Sequence, residues 1–227
     1  MIHHLPAVLS SEEAACCRGR LEAAAWADGR ATAGAQSVGA KHNLQLDEQA
    51  PEARELGELI LERLGRNPDF ISAALPARVF PPLFNRYEDG MAFGAHIDNA
   101  IRVGGQPRTR LRTDLSCTLF LSDPGDYDGG ELLIEDRFGA PAIKLPAGDM
   151  ALYPAFSVHR VAPVTRGARL AAFFWIQSMV RDDGQRALLH SLDQSIIRVR
   201  ADLGDEHPEA VRLAGTYHNL LRMWAEV

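Results

Sequence analysis

The chain has 227 residues, 46% of them hydrophobic, and a formal net charge of −6. That is enough for one well-filled core with length to spare, and the acidic balance argues against a nucleic-acid partner, whose phosphates call for a basic patch. The three cysteines (Cys16, Cys17, Cys117) make no disulfide framework or zinc spacing, and no apolar run approaches a membrane span, so a cytoplasmic protein with no membrane partner is expected.

The first eighty or so residues read mainly as helix. Ser10 and Glu13 form a capping-box pattern that opens a helix from about Ser11 to Ala25. Lys41–Leu46 reads as extended. Pro51 opens a second helix with Leu56, Leu59, Ile60 and Leu64 on one side, and a short helix around Asn67–Ala74 ends before Pro76.

From about residue 79 to 178 the chain changes to short apolar segments punctuated by Gly, Pro and Asp. The expected strands are Val79–Tyr87, Phe93–Ile97, Asp114–Leu121, Glu131–Glu135, Pro141–Leu145, Asp149–Tyr153, His159–Val164 and Arg169–Ser178. Around Leu115–Leu121 apolar and small polar residues alternate, as in a half-buried antiparallel strand. Eight short strands at this spacing suit a jelly roll or related double-sheet barrel. Two amphipathic helices close the chain, one carrying Leu189, Leu192, Ile196, Val199 and Leu203, the other starting near Pro208. The expected fold class is therefore α+β. A domain over 1–182, with its barrel at about 79–178 and N-terminal helices packed on it, precedes a helical extension over 183–227. The extension's apolar stripes offer packing faces for the barrel or for a homo-oligomer.

The chemistry is carried by His96-Ile97-Asp98, by His159 and by Arg169. At positions i and i+2 of an extended segment, a His and an Asp point to one side, and a distant His can close a triangle around a cation. Two His and one carboxylate leave one face of an octahedral metal open, as in non-haem Fe(II) oxygenases. Arg169, at the mouth of an apolar run, supplies a planar cation suited to a carboxylate. Tyr87 can donate its hydroxyl to the same anion. Each residue also has a bland reading: a strand-end His, a turn-capping Asp, an ordinary ion pair, a core tyrosine. His207-Pro208-Glu209 also matches His-x-carboxylate, but it lies at a helix start, where i and i+2 diverge.

Taken together, Asn85-x-Tyr87, His96-x-Asp98, Tyr153-Pro154, His159-x-Val161-x-Pro163-Val164, Arg169 and Trp175-x-Gln177-Ser178 resemble the Fe(II)/2-oxoglutarate dioxygenases related to prolyl 4-hydroxylase. Among these, the pattern is most similar to the bacterial PKHD-type hydroxylases. The resemblance implies a double-stranded β-helix core, with His96, Asp98 and His159 as catalytic iron ligands and Arg169 as the 2-oxoglutarate partner. It also implies L-ascorbate as a reductant, and substrate hydroxylation with release of succinate and CO2. Members of that group are often linked with iron uptake.

Residues 99–112 follow the His-x-Asp pair and carry Arg102, Arg108, Arg110, Arg112 and the Gly104-Gly105 pair. They read either as a lid for an anionic small molecule or peptide, or as a solvated loop. Two rival functions use the same triad: an O2-independent isomerase or hydrolase, and a non-catalytic iron or keto-acid sensor.

Overall fold

A computed structural model of the protein describes residues 2–32, 39–104, 109–136 and 139–226. Within them, two antiparallel sheets form a jelly-roll core. The major sheet runs in the order His3–Leu5, Met150–Pro154, Leu115–Phe120, Arg169–Ser178, Leu83–Tyr87, Leu44–Leu46, Trp26–Asp28, with Pro76–Val79 also paired to Arg169–Ser178. The minor sheet runs Ala142–Ile143, Leu132–Ile134, His159–Val161, Ala92–His96, Lys41–His42.

Three helices cover the outer face of the major sheet: α1 (Ser11–Glu22), α2 (Pro51–Gly65) and α3 (Pro68–Ala74). The capping box is present, Glu13 N–H donating to Ser10 Oγ and Ser10 N–H to Glu13 Oε2. Leu21, Leu56, Ile60 and Phe70 pack on Leu115, Leu119, Leu170 and Phe174. Helix α1 stops at Glu22, short of the expected Ala25, although three alanines could extend it. Trp26–Asp28 instead completes the sheet edge beside Leu44–Leu46, so strand pairing overrides local propensity.

The expected strand Val79–Tyr87 is two strands. Pro81 and Pro82 lack the N–H that a continuous ladder needs, and the chain breaks between Val79 and Leu83. His159–Val164 likewise divides around Pro163 into His159–Val161 and Val164–Arg166. Leu115–Phe120 is buried on both faces rather than one. Leu115, Cys117 and Leu119 join the core beneath the helices, while Ser116, Thr118 and Phe120 face the barrel interior. The 99–112 segment contains a hairpin, Ile101–Gly104 with Thr109–Arg112. Arg108 and Gly105 lie outside the described residues.

Two helices end the chain, α4 (Asp183–Leu203) and α5 (Pro208–Trp224). Asp182 caps α4 by accepting from Gln185 N–H at 2.8 Å. Their shared core joins Leu189 to Leu75, Val180, Tyr217, Leu221 and Trp224, and Ser72 on α3 donates to Asp193 at 2.6 Å. The extension thus rests on α3 and the segment leaving the barrel, while the far end of its stripe, Leu203, is 55% exposed. His207 is the N-cap of α5, accepting from Glu209 N–H, in keeping with the exclusion of that His-x-Glu pair. No helix among the described residues is long and apolar enough to cross a membrane.

Candidate active site

The barrel interior is lined by alternate residues of the major-sheet strands. Period 2 sends Leu170, Ala172, Phe174 and Ile176 to the helices, and Arg169, Phe173 and Trp175 inward. On the neighbouring strands it sends Asn85, Tyr87, Ser116, Thr118 and Tyr153 inward as well. With the minor sheet opposite, these side chains enclose a cleft of about 820 Å³, counting the open space at its mouth.

His96, Asp98 and His159 meet on one wall of this cleft, each offering a ligand atom, with all such atoms within 4.8 Å of one another. Sheet register brings them together: His159 is paired directly with His96, and Asp98 follows just past that strand's end. His159 Nε2 lies 3.7 Å from Asp98 Oδ2. Both imidazoles are oriented the same way. His96 Nδ1 is 2.9 Å from Gly94 O and His159 Nδ1 is 3.0 Å from Ser157 O, so each Nδ1–H donates to a carbonyl and each Nε2 lone pair is left for a cation. Burial, reinforced by the nearby His159 ring, pushes His96 down to about 4, which keeps it neutral and able to ligate at ordinary pH. The His96 ring is also stacked on Phe93 at 3.7 Å.

Sequence reasoning missed Ser116. Its hydroxyl donates to Asp98 Oδ2 at 2.5 Å, fixing the carboxylate while leaving Oδ1 for other partners. The signal was the small polar residue alternating with Leu115 and Cys117, which was read as a solvent face. Lys41, Asn43 and Gln45 were missed too, since nothing local shows that Lys41–Leu46 borders the cleft.

Arg169 enters the same cleft and is 1% exposed, yet its Nε and Nη1 have no hydrogen-bond partner among the described residues. Its guanidinium lies over Tyr87 at 5.4 Å and Phe120 at 5.1 Å, and Tyr87 is its cross-strand partner in register. Burial raises the Tyr87 hydroxyl to about 12, so it remains a donor. Gly130, at φ +68°, leaves room for the arginine stem: a Cβ there would lie 3.1 Å from Arg169 Cδ and 2.8 Å from the Tyr127 ring. A buried guanidinium with unmade hydrogen bonds is unfavourable by several kcal/mol, on the order of 3–5, unless an anion arrives.

Comparison with known proteins agrees with this geometry. Residues 82–177 match the 2OG-Fe(II) oxygenase superfamily and residues 183–226 match the PKHD-type hydroxylase C-terminal domain. A PKHD-type hydroxylase of Methylobacterium nodulans is 61% identical over 227 residues, covering all of both chains. The chain belongs to the PKHD-type hydroxylase family. Another member, PKHD-type hydroxylase PiuC of Pseudomonas aeruginosa, is 60% identical, again over the full length of both. In fold, the chain is similar to a prolyl hydroxylase of Trichoplax adhaerens solved with a hypoxia inducible factor peptide fragment. The TM-score is 0.56 at 17% identity, over 82% of this chain and 86% of that one. As a family member the protein is a 2-oxoglutarate-dependent hydroxylase, with Fe(II) and 2-oxoglutarate as its metal and co-substrate. The residues present fit both groups: two imidazoles and a carboxylate suit a divalent iron, and the orphaned guanidinium suits a dicarboxylate.

Proposed function

We propose that His96, Asp98 and His159 are the catalytic iron ligands, that Arg169 with Tyr87 binds the distal carboxylate of 2-oxoglutarate, and that the enzyme hydroxylates a small-molecule or peptide substrate entering beside the 101–112 hairpin. The observation that carries this reading is the pairing, in one cleft, of a convergent His-Asp-His set with a buried arginine short of hydrogen bonds. Bound Fe(II) and 2-oxoglutarate supply oxygen activation coupled to decarboxylation, yielding succinate and CO2. The chain's own residues do the rest. The carbonyls of Gly94 and Ser157 hold both Nε2 atoms toward the metal position, and Ser116 aims Asp98. Arg169 sets the co-substrate's orientation from the barrel floor. The aromatic wall of Phe93, Phe173 and Trp175 keeps the reacting volume poor in water.

L-ascorbate is proposed as the reductant that returns oxidised iron to Fe(II), tested by whether it prolongs turnover without changing the initial rate. A link with iron uptake rests on the family resemblance and is tested by growth of a deletion strain under iron limitation. Anaerobic reconstitution with Fe(II) and 2-oxoglutarate, followed by admission of O2, tests the core of the proposal. Succinate should form with the parent and not with Asp98→Ala. Equal succinate release by the two would contradict the triad, and none from either, with any substrate, would favour the sensor or the O2-independent isomerase or hydrolase.

A further inference from the structure

A 2-oxo acid that binds a metal through one carboxylate oxygen and its keto oxygen leaves the second carboxylate oxygen as a charged acceptor. Inside a barrel that oxygen is out of water, and without a donor its burial is unfavourable. Arg169 and Tyr87 are assigned above to the far carboxylate, so the near one requires a donor of its own. The hydroxyl side chains lining the cleft are Tyr87, Ser116, Thr118 and Tyr153. Ser116 is committed to Asp98 at 2.5 Å, and both histidine Nδ1–H groups are committed to carbonyls. Thr118 and Tyr153 remain.

Tyr153 stands at the metal end of the cleft. Strand register sets it directly opposite Ser116, the residue that holds Asp98. Its ring meets the His159 ring edge-on, with centroids 5.2 Å apart. The same side chain belongs to the buried cluster that contains Tyr87 and Phe120, the two rings over which the Arg169 guanidinium lies. It therefore bridges the wall that carries the metal ligands and the floor that carries the arginine. Burial, and then the Asp98 carboxylate, hold its hydroxyl well above the ordinary tyrosine range, while Thr118 and Arg169 act the other way. The phenol stays protonated, and its oxygen feels the charges at both ends of the site. Thr118 lies one inward step deeper on the neighbouring strand, paired with Ala151 where Ser116 is paired with Tyr153. Packing alone requires the tyrosine ring and not its oxygen.

We infer that the Tyr153 hydroxyl, oriented by Thr118, donates to the metal-proximal carboxylate of 2-oxoglutarate, so that different side chains hold the two ends of the co-substrate. The inference rests on the hydroxylase reading and adds a binding group to it.

The test compares two keto acids on the full-length, anaerobic Fe(II) protein. 2-Oxoglutarate carries both carboxylates; 2-oxobutyrate keeps the keto-carboxylate end and lacks the far carboxylate. Binding of each is read by the visible charge-transfer band with iron, iron affinity by equilibrium dialysis, and stability by urea unfolding. Tyr153→Phe keeps the ring and should weaken both acids by the same factor, about tenfold, as loss of a hydrogen bond to a charged group requires. Thr118→Val should weaken both by about threefold, the scale of one neutral hydrogen bond. Arg169→Ala, by contrast, should weaken 2-oxoglutarate and leave 2-oxobutyrate near the parent's affinity. Iron affinity and the unfolding midpoint should stay near the parent's in both hydroxyl variants, which separates a contact with the keto acid from a packing role. Two variants on separate strands prevent a folding failure in one from deciding the matter. A Tyr153→Phe or Thr118→Val protein that binds both acids as the parent does, or that loses affinity for 2-oxoglutarate alone, would overturn the assignment. So would a fall in iron affinity large enough to account for the loss of both acids. A parent that forms no band with 2-oxobutyrate would overturn it too, because the near carboxylate would then have no group of its own to hold it. Failure of the parent to form the band with 2-oxoglutarate would instead overturn the hydroxylase reading, and the inference with it.

Discussion

The two faces of the major sheet are built from the same strands and obey opposite rules. On the outer face, Leu170, Ala172, Phe174 and Ile176 meet the N-terminal helices in a continuous apolar core. On the inner face, one residue out of step along the same strand, Arg169 is buried with two nitrogens that have no hydrogen-bond partner among the described residues, and the same holds for Asn85 Oδ1 on the next strand. Close packing stabilises the first face; the second keeps polar groups out of water with their hydrogen bonds unmade, which destabilises a fold and suits a binding site. Stability and function are therefore separated by a single step of strand alternation.

That contrast can be broken from either side. Phe174→Ala should destabilise the protein by about 3–5 kcal/mol, as for large aromatic truncations in packed cores, and any loss of activity should follow the loss of fold. Thermal and urea unfolding check it; a shift below about 1 kcal/mol would mean that the outer face is not the close-packed core described. Asp98→Ala should leave the unfolding midpoint near the parent's while iron affinity falls by more than the roughly 10–100-fold typical of outer-shell changes. Equilibrium dialysis with Fe(II) under anaerobic conditions measures it, and near-parent affinity would remove Asp98 from the metal site.

Ser116→Ala is the milder inner-face test. Losing the 2.5 Å bond to Asp98 should weaken iron binding by about tenfold, at the low end of outer-shell effects, with little change in stability; unchanged affinity would show that Asp98 is oriented without it. The smallest effect lies at the edge strand of the major sheet, at His3. Burial, and then His190, push its pKa down to about 4. The native state stays neutral there while the unfolded chain takes up a proton near 6.5, so stability is full above 6.5 and declines as pH falls toward 4. His3→Gln should flatten that part of the stability–pH profile, and an unchanged slope would locate the acid sensitivity elsewhere.

How far the molecule could be read in advance follows from the same alternation. The His96-x-Asp98 pair, His159 and Arg169 stood out because two imidazoles, a carboxylate and an arginine are conspicuous residue types at strand ends, and the structure brings them into one cleft. The capping box at Ser10 and the proline that opens α2 were legible because their chemistry is local. Ser116 was not, because a serine between Leu115 and Cys117 looks the same whether it faces water or a closed barrel; only the opposing minor sheet distinguishes them. Lys41 and Arg102 come from segments whose approach to the cleft depends on distant pairing, Lys41 with Phe93 and the hairpin with Phe80. The Gly-rich and Arg-rich text of residues 101–112 concealed strands for a related reason: a two-stranded hairpin there is set by its packing rather than by apolar alternation.

The account depends most directly on Arg169. Titration of 2-oxoglutarate into the anaerobic Fe(II) protein, followed by the visible charge-transfer band, measures what that residue contributes. Removal of one partner of a buried charge pair costs about 3–5 kcal/mol, so Arg169→Ala should weaken 2-oxoglutarate binding by at least about a hundredfold, with Arg169→Lys recovering part of the loss and iron affinity unchanged. Binding of 2-oxoglutarate to Arg169→Ala as tightly as to the parent would contradict the claim that the orphaned guanidinium awaits the co-substrate.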